Sequence, residues 1–303
     1  MPNEAYHRGE WQKEYISSTS LKNYIVSPKY YKYTRENGKE ISLEASMRGS
    51  VYHSMLASLA NTGCMDEFNN EYFVFDAPIN PRTNEAYGIS TKAYAEALAN
   101  AKAENPGKEA TSQAEVALAQ RMIDALLNDC EKTSECVSKL LEWGKAEVSH
   151  FVEYEGLKFK FRTDLRTENK IVDWKTIAAD DLHEGTIAKQ IHKMGYGFSA
   201  AFYQFFDHLV TGKWTDFYWV FQQKNPPYDA VIVSAESWGY TELADGTLLK
   251  GVGARQFENI LAKHMECTRD NKYIGAESFI NTEDGYPIMT AVAPAYANNI
   301  LMY

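Results

Sequence analysis

The sequence predicts an α/β fold with a helical N-terminal portion, and three observations carry that reading. Apolar residues recur at helical spacing through most of about residues 1–143. From about residue 144 the pattern switches to period two, the spacing of strands. Two further β-rich runs, DFYWVFQQK and DAVIVSAE, follow another pair of helical stretches. No repeat, low-complexity tract or Ser/Gly linker interrupts the 303 residues, so a single domain is expected over 1–303. Within it a sheet core spans about 144–236, and a C-terminal helix and tail span about 237–303.

Near the beginning, the Ser/Thr cluster of YISSTSLKNYIVSP can cap a helix; Leu21, Tyr24 and Ile25 follow at helical spacing, and the element stops at Pro28. A second helix is expected at about Leu43 to Ala60. Residues 71–78 (EYFVFDAP) read as a strand and NPRTNEAYG as a loop. The chain is then helical from about 91 to 143, broken at Pro106-Gly107, with Ala114, Ala117, Met122, Ala125 and Leu126 on one amphipathic face.

AEVSHFVEYEGLKFKFRTDLRTENKIVDWKT reads as three strands joined by turns at Glu155-Gly156 and at Thr167 to Lys170. Alternation assigns Phe159, Phe161 and Leu165 to one face of the second strand, and Lys158, Lys160, Arg162 and Asp164 to the other. Helices follow in DDLHEGTIAKQIHKM and GYGFSAAFYQFFDHLV. The last two strands flank Asn225-Pro226-Pro227, and a final helix is expected from about Leu248 to Asn271.

A formal net charge of −10 argues against a protein that coats nucleic acid through a broad basic surface, because phosphate neutralisation needs Lys and Arg. A small local channel is still compatible with it, and carboxylates that hold cations would themselves make the formal charge too negative. Cys64, Cys130, Cys136 and Cys267 are scattered without a CxxC pair, which suits free thiols in a reducing compartment. No run of 18 apolar residues and no apolar signal segment is present, so the cytoplasm is the expected location, the host's if the chain is phage-encoded.

The hairpin FRTDLRTENKIVDWKT concentrates the chemistry. Asp173 and Lys175 leave the same face of one strand, and the turn brings that strand beside Asp164. Glu147, at the start of the preceding strand, can add a third carboxylate. Carboxylates that hold Mg²⁺ and a lysine that orients water are what phosphodiester hydrolysis requires. By spacing alone, D-x8-D-x-K is more often a solvated face with cross-strand ion pairs. The line Lys158, Lys160, Arg162 and Arg166 reads either as such a face or as a track for a DNA backbone.

The order of segments adds a resemblance. A helix with RGSVYH, a strand with Glu147, a strand with Arg162 and Asp164, then Asp173-Trp174-Lys175 and a helix with GYGFSAAFY resemble the PD-(D/E)xK nuclease superfamily. The set is most similar to the phage and prophage RecE-type (exonuclease VIII-like) exodeoxyribonucleases. SSTSLKNYIVSPKYYKY, QQKNPPYDAVIV and RDNKYIGAESF resemble further segments of that family. The resemblance implies a restriction-endonuclease-like core, a mixed central sheet flanked by helices. It implies degradation of linear double-stranded DNA, 5′ to 3′, to give 3′ overhangs for an annealing recombinase.

By the same resemblance Asp164, Asp173, Glu147 and His53 would hold the metal, Mg²⁺ or else Mn²⁺, and Lys175 would position or activate the water. Tyr203 would contact DNA or brace the site, and a homo-oligomer around DNA ends is implied; Arg162 and Lys160, as members of the basic line, are the further candidates for DNA contact. The family's Q-x3-Y motif has Ser199 where the Gln belongs, which puts this helix's DNA contact in doubt. Two rivals stay open: another PD-(D/E)xK endonuclease, and a non-catalytic DNA-end-binding protein on the same fold. A cluster-bearing relative is rejected, since only Cys267 lies in the last third.

Overall fold

The computed structural model describes Tyr6, residues 10–37 and residues 43–275; the side chains of Arg48 and its neighbours up to residue 50, and the end of RDNKYIGAESF, lie outside the described residues. Helices α1 (Glu10–Glu14), α2 (Ser18–Leu21), α3 (Pro28–Asn37), α4 (Leu43–Thr62) and α5 (Asp66–Glu71) lead to strand β1 (Tyr72–Val74). Helix α6 (Lys92–Glu104), β2 (Glu109–Thr111), α7 (Gln113–Asn128) and α8 (Lys132–Trp143) come next. The sheet core is β3 (Lys145–Tyr154), β4 (Leu157–Arg166), β5 (Lys170–Ile177), α9 (Glu184–Met194), α10 (Tyr196–Thr211), β6 (Asp216–Gln223) and β7 (Ala230–Ser234). A small hairpin, β8 (Tyr240–Glu242) and β9 (Leu248–Lys250), precedes α11 (Val252–Arg269).

Three boundaries differ from the sequence reading. The stop at Pro28 is also a start: Pro28 takes the first position of α3, where its missing N–H is no loss, and Ser27 Oγ caps the helix by accepting the Tyr30 N–H at 3.0 Å. The strand expected over 71–78 is limited to Tyr72–Val74 by its three-residue parallel partner β2, which also interrupts the helical stretch after Gly107. The last helix begins at Val252 because Leu248–Lys250 pair with β8 instead.

The five-stranded sheet runs in the order β3-β4-β5-β6-β7 and is antiparallel except for the parallel pair β5–β6. That pair needs a crossover, and α9 with α10 supplies it. Both faces are covered. On one, Leu165, Val172, Trp174 and Val220 pack with Tyr52, Leu56, Leu126 and Val137. On the other, Ile171, Phe217, Trp219 and Phe221 pack with Ile187, Ile191 and Ala200. Burial on both faces explains why β6 reads as an unbroken apolar run from Phe217 to Phe221.

The face assignment for β4 needs correction. Phe159 stacks on Phe206, and Phe161 lies against Tyr203, so both face α10. Leu165 instead lies in the core on the opposite face, although simple alternation puts all three together. Between them the β3–β4 ladder keeps its register, Ala146 opposite Leu165 and Val148 opposite Thr163, but Glu147 and Asp164 do not pair. Glu147 has φ +54°, a left-handed backbone that a β-carbon resists, and the alternation changes phase there.

By its contacts the chain divides into two compact units, Met1–Ser18 with Glu40–Glu258, and Thr19–Lys39 with Asn259–Tyr303. In the second, the Tyr24 ring lies tilted against Tyr31 with ring centroids 4.5 Å apart, and its hydroxyl meets His264 Nδ1 at 2.8 Å.

Two stability measurements follow. Burial first, and the Arg35 guanidinium second, push His264 down to about 4; Tyr24 and Tyr31 complete its surroundings. The folded chain therefore holds that proton more weakly than the unfolded chain, and this group's contribution to stability is lost as pH falls from about 6.5 through about 4. Urea unfolding at pH 7 and pH 4.5 should show a loss on the order of 2 kcal/mol from this group, and His264→Gln should flatten it. In the first unit, a Cβ on Gly253 would lie 2.2 Å from the Gly197 carbonyl carbon and 2.3 Å from its oxygen. Neither is a side chain that can swing aside, so Gly253→Ala should cost at least about 2 kcal/mol in the same unfolding experiment.

Candidate active site

The sheet parts where the hairpin carboxylates stand. Ladder pairing of β4 with β5 covers only Leu165–Val172 and Arg166–Ile171, next to the turn. Beyond it, the Asp164 carboxylate takes the place of a strand carbonyl: its Oδ2 accepts the Trp174 N–H at 2.8 Å. Asp164 is thus unpaired in the ladder toward β3 and toward β5, and a notch opens around its side chain. Asp173 and Lys175 leave the same face of β5, as alternation expects, and their charged ends meet at 2.6 Å.

The surrounding groups converge on that notch. His53, on α4, places Nδ1 3.6 Å from Asp164 Oδ2. Glu147, set by its left-handed backbone, pairs with Arg162 at 3.3 Å. Lys175 Nζ lies 5.0 Å from the centre of the Tyr196 ring, at the start of α10. Tyr203, further along the same helix, sits between Phe161 and Phe217 near all three carboxylates.

Electrostatics mark the cluster as expensive to ionise in the absence of a cation. Burial raises the Asp173 carboxyl to about 6; Lys175 opposes the rise, while Asp164, within hydrogen-bonding reach, adds to it. Burial, then the Asp164 charge, raises Glu147 to about 7 against the pull of Arg162. Burial works against the Lys175 ammonium, yet Asp173 and Asp164 outweigh it and hold the proton on more tightly than usual. Burial and the nearby ammonium lower His53 to about 4, so the imidazole is neutral at pH 7. The Tyr203 phenol is raised well above its usual value by burial and then by Asp173.

The basic line lies differently from a solvated track. Lys160 is 1% exposed and donates to the Tyr6 carbonyl at 2.6 Å; Arg162 is 7% exposed, donates to Ser149 Oγ and lies over the Tyr6 ring. Lys158 pairs with Glu14, and Arg166 is held bidentately by the buried Asp207. Ser199, at the position of the motif Gln, receives a hydrogen bond from Ser18 at 2.9 Å. Gln204 is a buried strut that grips the backbones of Thr215 and Tyr240. Sequence reasoning missed Tyr196 and Tyr6 at the site. A lone tyrosine after Gly195 and another near the beginning carry no periodic signal that could have singled them out.

Among the described residues, no three His, Cys, Asp or Glu side chains are gathered as placed into a group that could hold a metal ion. The donor set nonetheless fits a hard divalent cation. Asp164 and Asp173 are hydrogen-bonded carboxylates in a half-buried notch, and the raised Asp173 and Glu147 sit among negative charge that a cation would offset. A neutral His53 beside them is in the form that ligates metals.

Comparison with known proteins agrees with this geometry. No curated protein matches the chain. A solved structure, the crystal structure of a "Putative exonuclease" from Eubacterium rectale, is similar over 98% of this chain and 97% of its own, with a TM-score of 0.53 at 15% identity. At that identity the likeness shows the fold. Residues 17–248, which include the whole five-stranded sheet and every residue of the notch, match the model of the "PDDEXK-like domain of unknown function (DUF3799)". The parted hairpin, the sheet around it and the family model coincide: this chain belongs to the PDDEXK-like domain family, within the PD-(D/E)xK nuclease superfamily.

Proposed function

We propose that this nuclease is a metal-dependent exodeoxyribonuclease that degrades linear double-stranded DNA 5′ to 3′ and leaves 3′ overhangs for a phage-type annealing recombinase. The observation that carries the nuclease chemistry is the notch, where Asp164, Asp173 and Lys175 meet at the break in the ladder with His53 and Glu147 at its margin. The exonuclease reading, its polarity and a homo-oligomer around the DNA end rest on the resemblance to RecE-type enzymes. The similar fold of the Eubacterium rectale protein is consistent with it.

In this reading Asp164, Asp173, Glu147 and His53 hold the metal, Mg²⁺ with Mn²⁺ as a substitute. The bound cation supplies Lewis-acid activation of water and neutralises charge on the scissile phosphate. Lys175, held beside Asp173 at the notch, positions or activates the attacking water, or steadies a phosphate oxygen through its ammonium. Arg162 holds the Glu147 carboxylate at the margin, and Tyr203 braces the sheet beneath the carboxylates with its phenol protonated. With Lys160 and Arg162 packed under Tyr6, the DNA is gripped locally at the notch, in keeping with a chain of net charge −10.

The deciding assay uses end-labelled linear duplex and covalently closed circular duplex, each with Mg²⁺ and with EDTA. Loss of the linear DNA alone, from the 5′ ends, is expected, and EDTA should abolish it. Asp173→Ala and Lys175→Ala should each lower the rate by about 100-fold or more. Nicking of the closed circle would identify an endonuclease instead, and binding of ends without metal-dependent loss would identify a non-catalytic protein.

A further inference from the structure

Lys175 is held from two sides, and only one side belongs to the carboxylates. Asp173 pairs with the ammonium at 2.6 Å, and Trp174 O lies 3.4 Å from it. On the other side the Tyr196 ring presents itself 5.0 Å from Nζ, within the range where a cation gains from the negative face of an aromatic ring. Tyr196 is not loose. Gly195, with φ +62°, ends α9 and starts α10, so the tyrosine sits on the first residue of a helix packed on the sheet. Its ring is packed against the β5–β6 core and lies 6.2 Å from Phe221, and the Gln190 side chain on α9 comes up beside its hydroxyl.

Such an arrangement has a use that packing alone does not. A lysine side chain has four rotatable bonds, and its strongest partner here, Asp173, is itself assigned to the metal. When that carboxylate turns to a cation, its hold on Nζ weakens, whereas the ring, like the Trp174 carbonyl, stays where it is. We propose that Tyr196, braced by Gln190, is a positioning residue that keeps the Lys175 ammonium aimed at the reacting phosphate. This rests on the reading of Lys175 as the residue that orients water.

The test has a spectroscopic and a kinetic arm, both on the full chain. In protein labelled with ¹³C at lysine, the Lys175 Cε–Hε resonance, assigned through Lys175→Ala, should be displaced by the Tyr196 ring current. Tyr196→Leu should abolish that displacement, and Tyr196→Phe, which keeps the ring but loses the Gln190 contact, should keep most of it. In the nuclease assay Tyr196→Leu should lower kcat by about tenfold with KM nearly unchanged, the size expected for removing one cation–ring interaction from the transition state. Tyr196→Phe should recover most of that rate, whereas a ring that only fills space would give no such dependence of kcat on the aromatic face. Should Tyr196→Leu not fold, Gln190→Ala keeps the ring but frees it, and should show a smaller displacement and a smaller drop in kcat. An undisplaced Lys175 signal in the wild type, or full kcat in Tyr196→Leu, overturns the inference while leaving Lys175 in its role. Cleavage indifferent to Lys175→Ala overturns the reading beneath it as well.

Discussion

One hydrogen bond organises the site: Asp164 accepting the Trp174 N–H. In an unbroken sheet that amide would go to a backbone carbonyl on β4, and the strands would continue side by side. Giving it a carboxylate instead ends the ladder without leaving a buried donor orphaned. The same oxygen is thereby fixed toward His53 and near Asp173. On the opposite flank, Glu147 reaches the same level through a left-handed backbone that only a strongly braced sheet would tolerate. The bracing is visible. Both faces of the sheet are packed, and the ladder is regular on each side of the break.

A site built this way is preorganised and also strained. Two carboxylates within hydrogen-bonding reach, a third nearby and an ammonium share a half-buried notch. Folding brings them together against their mutual repulsion, and the stable apolar layers on both faces offset that cost. The strain is directed toward cation binding, since a divalent ion relieves the repulsion that protons and Lys175 relieve in its absence.

The sequence shows much of this and hides the rest for definite reasons. The hairpin was legible because alternation places Asp173 and Lys175 on one face, and the short turn brings Asp164 alongside. The helices on either side were legible from their apolar spacing. The phase change at Glu147 was not, because no glycine or proline marks a left-handed residue inside a strand there, and Leu165 was accordingly placed on the wrong face. The burial of Lys160 and Arg162 was also hidden. It depends on Tyr6, a single residue far away in sequence that stacks on both cations. Tyr196 was invisible for a related reason, since its role depends on the pitch of α10 against β5 and not on spacing within either element.

Helix α10 has a consequence for how this protein can change over generations. Its Phe198, Phe202 and Phe206 are fully buried, and the same sixteen residues carry Tyr196 and Tyr203 beside the notch. Variation that would retune the chemistry and variation that would unsettle the core are therefore drawn from one helix, and a shift of its axis changes both at once. Loops can diverge freely in such a lineage, but this helix cannot drift one position at a time. Descendants with altered specificity should carry paired replacements, one facing the notch and one restoring the packing behind it.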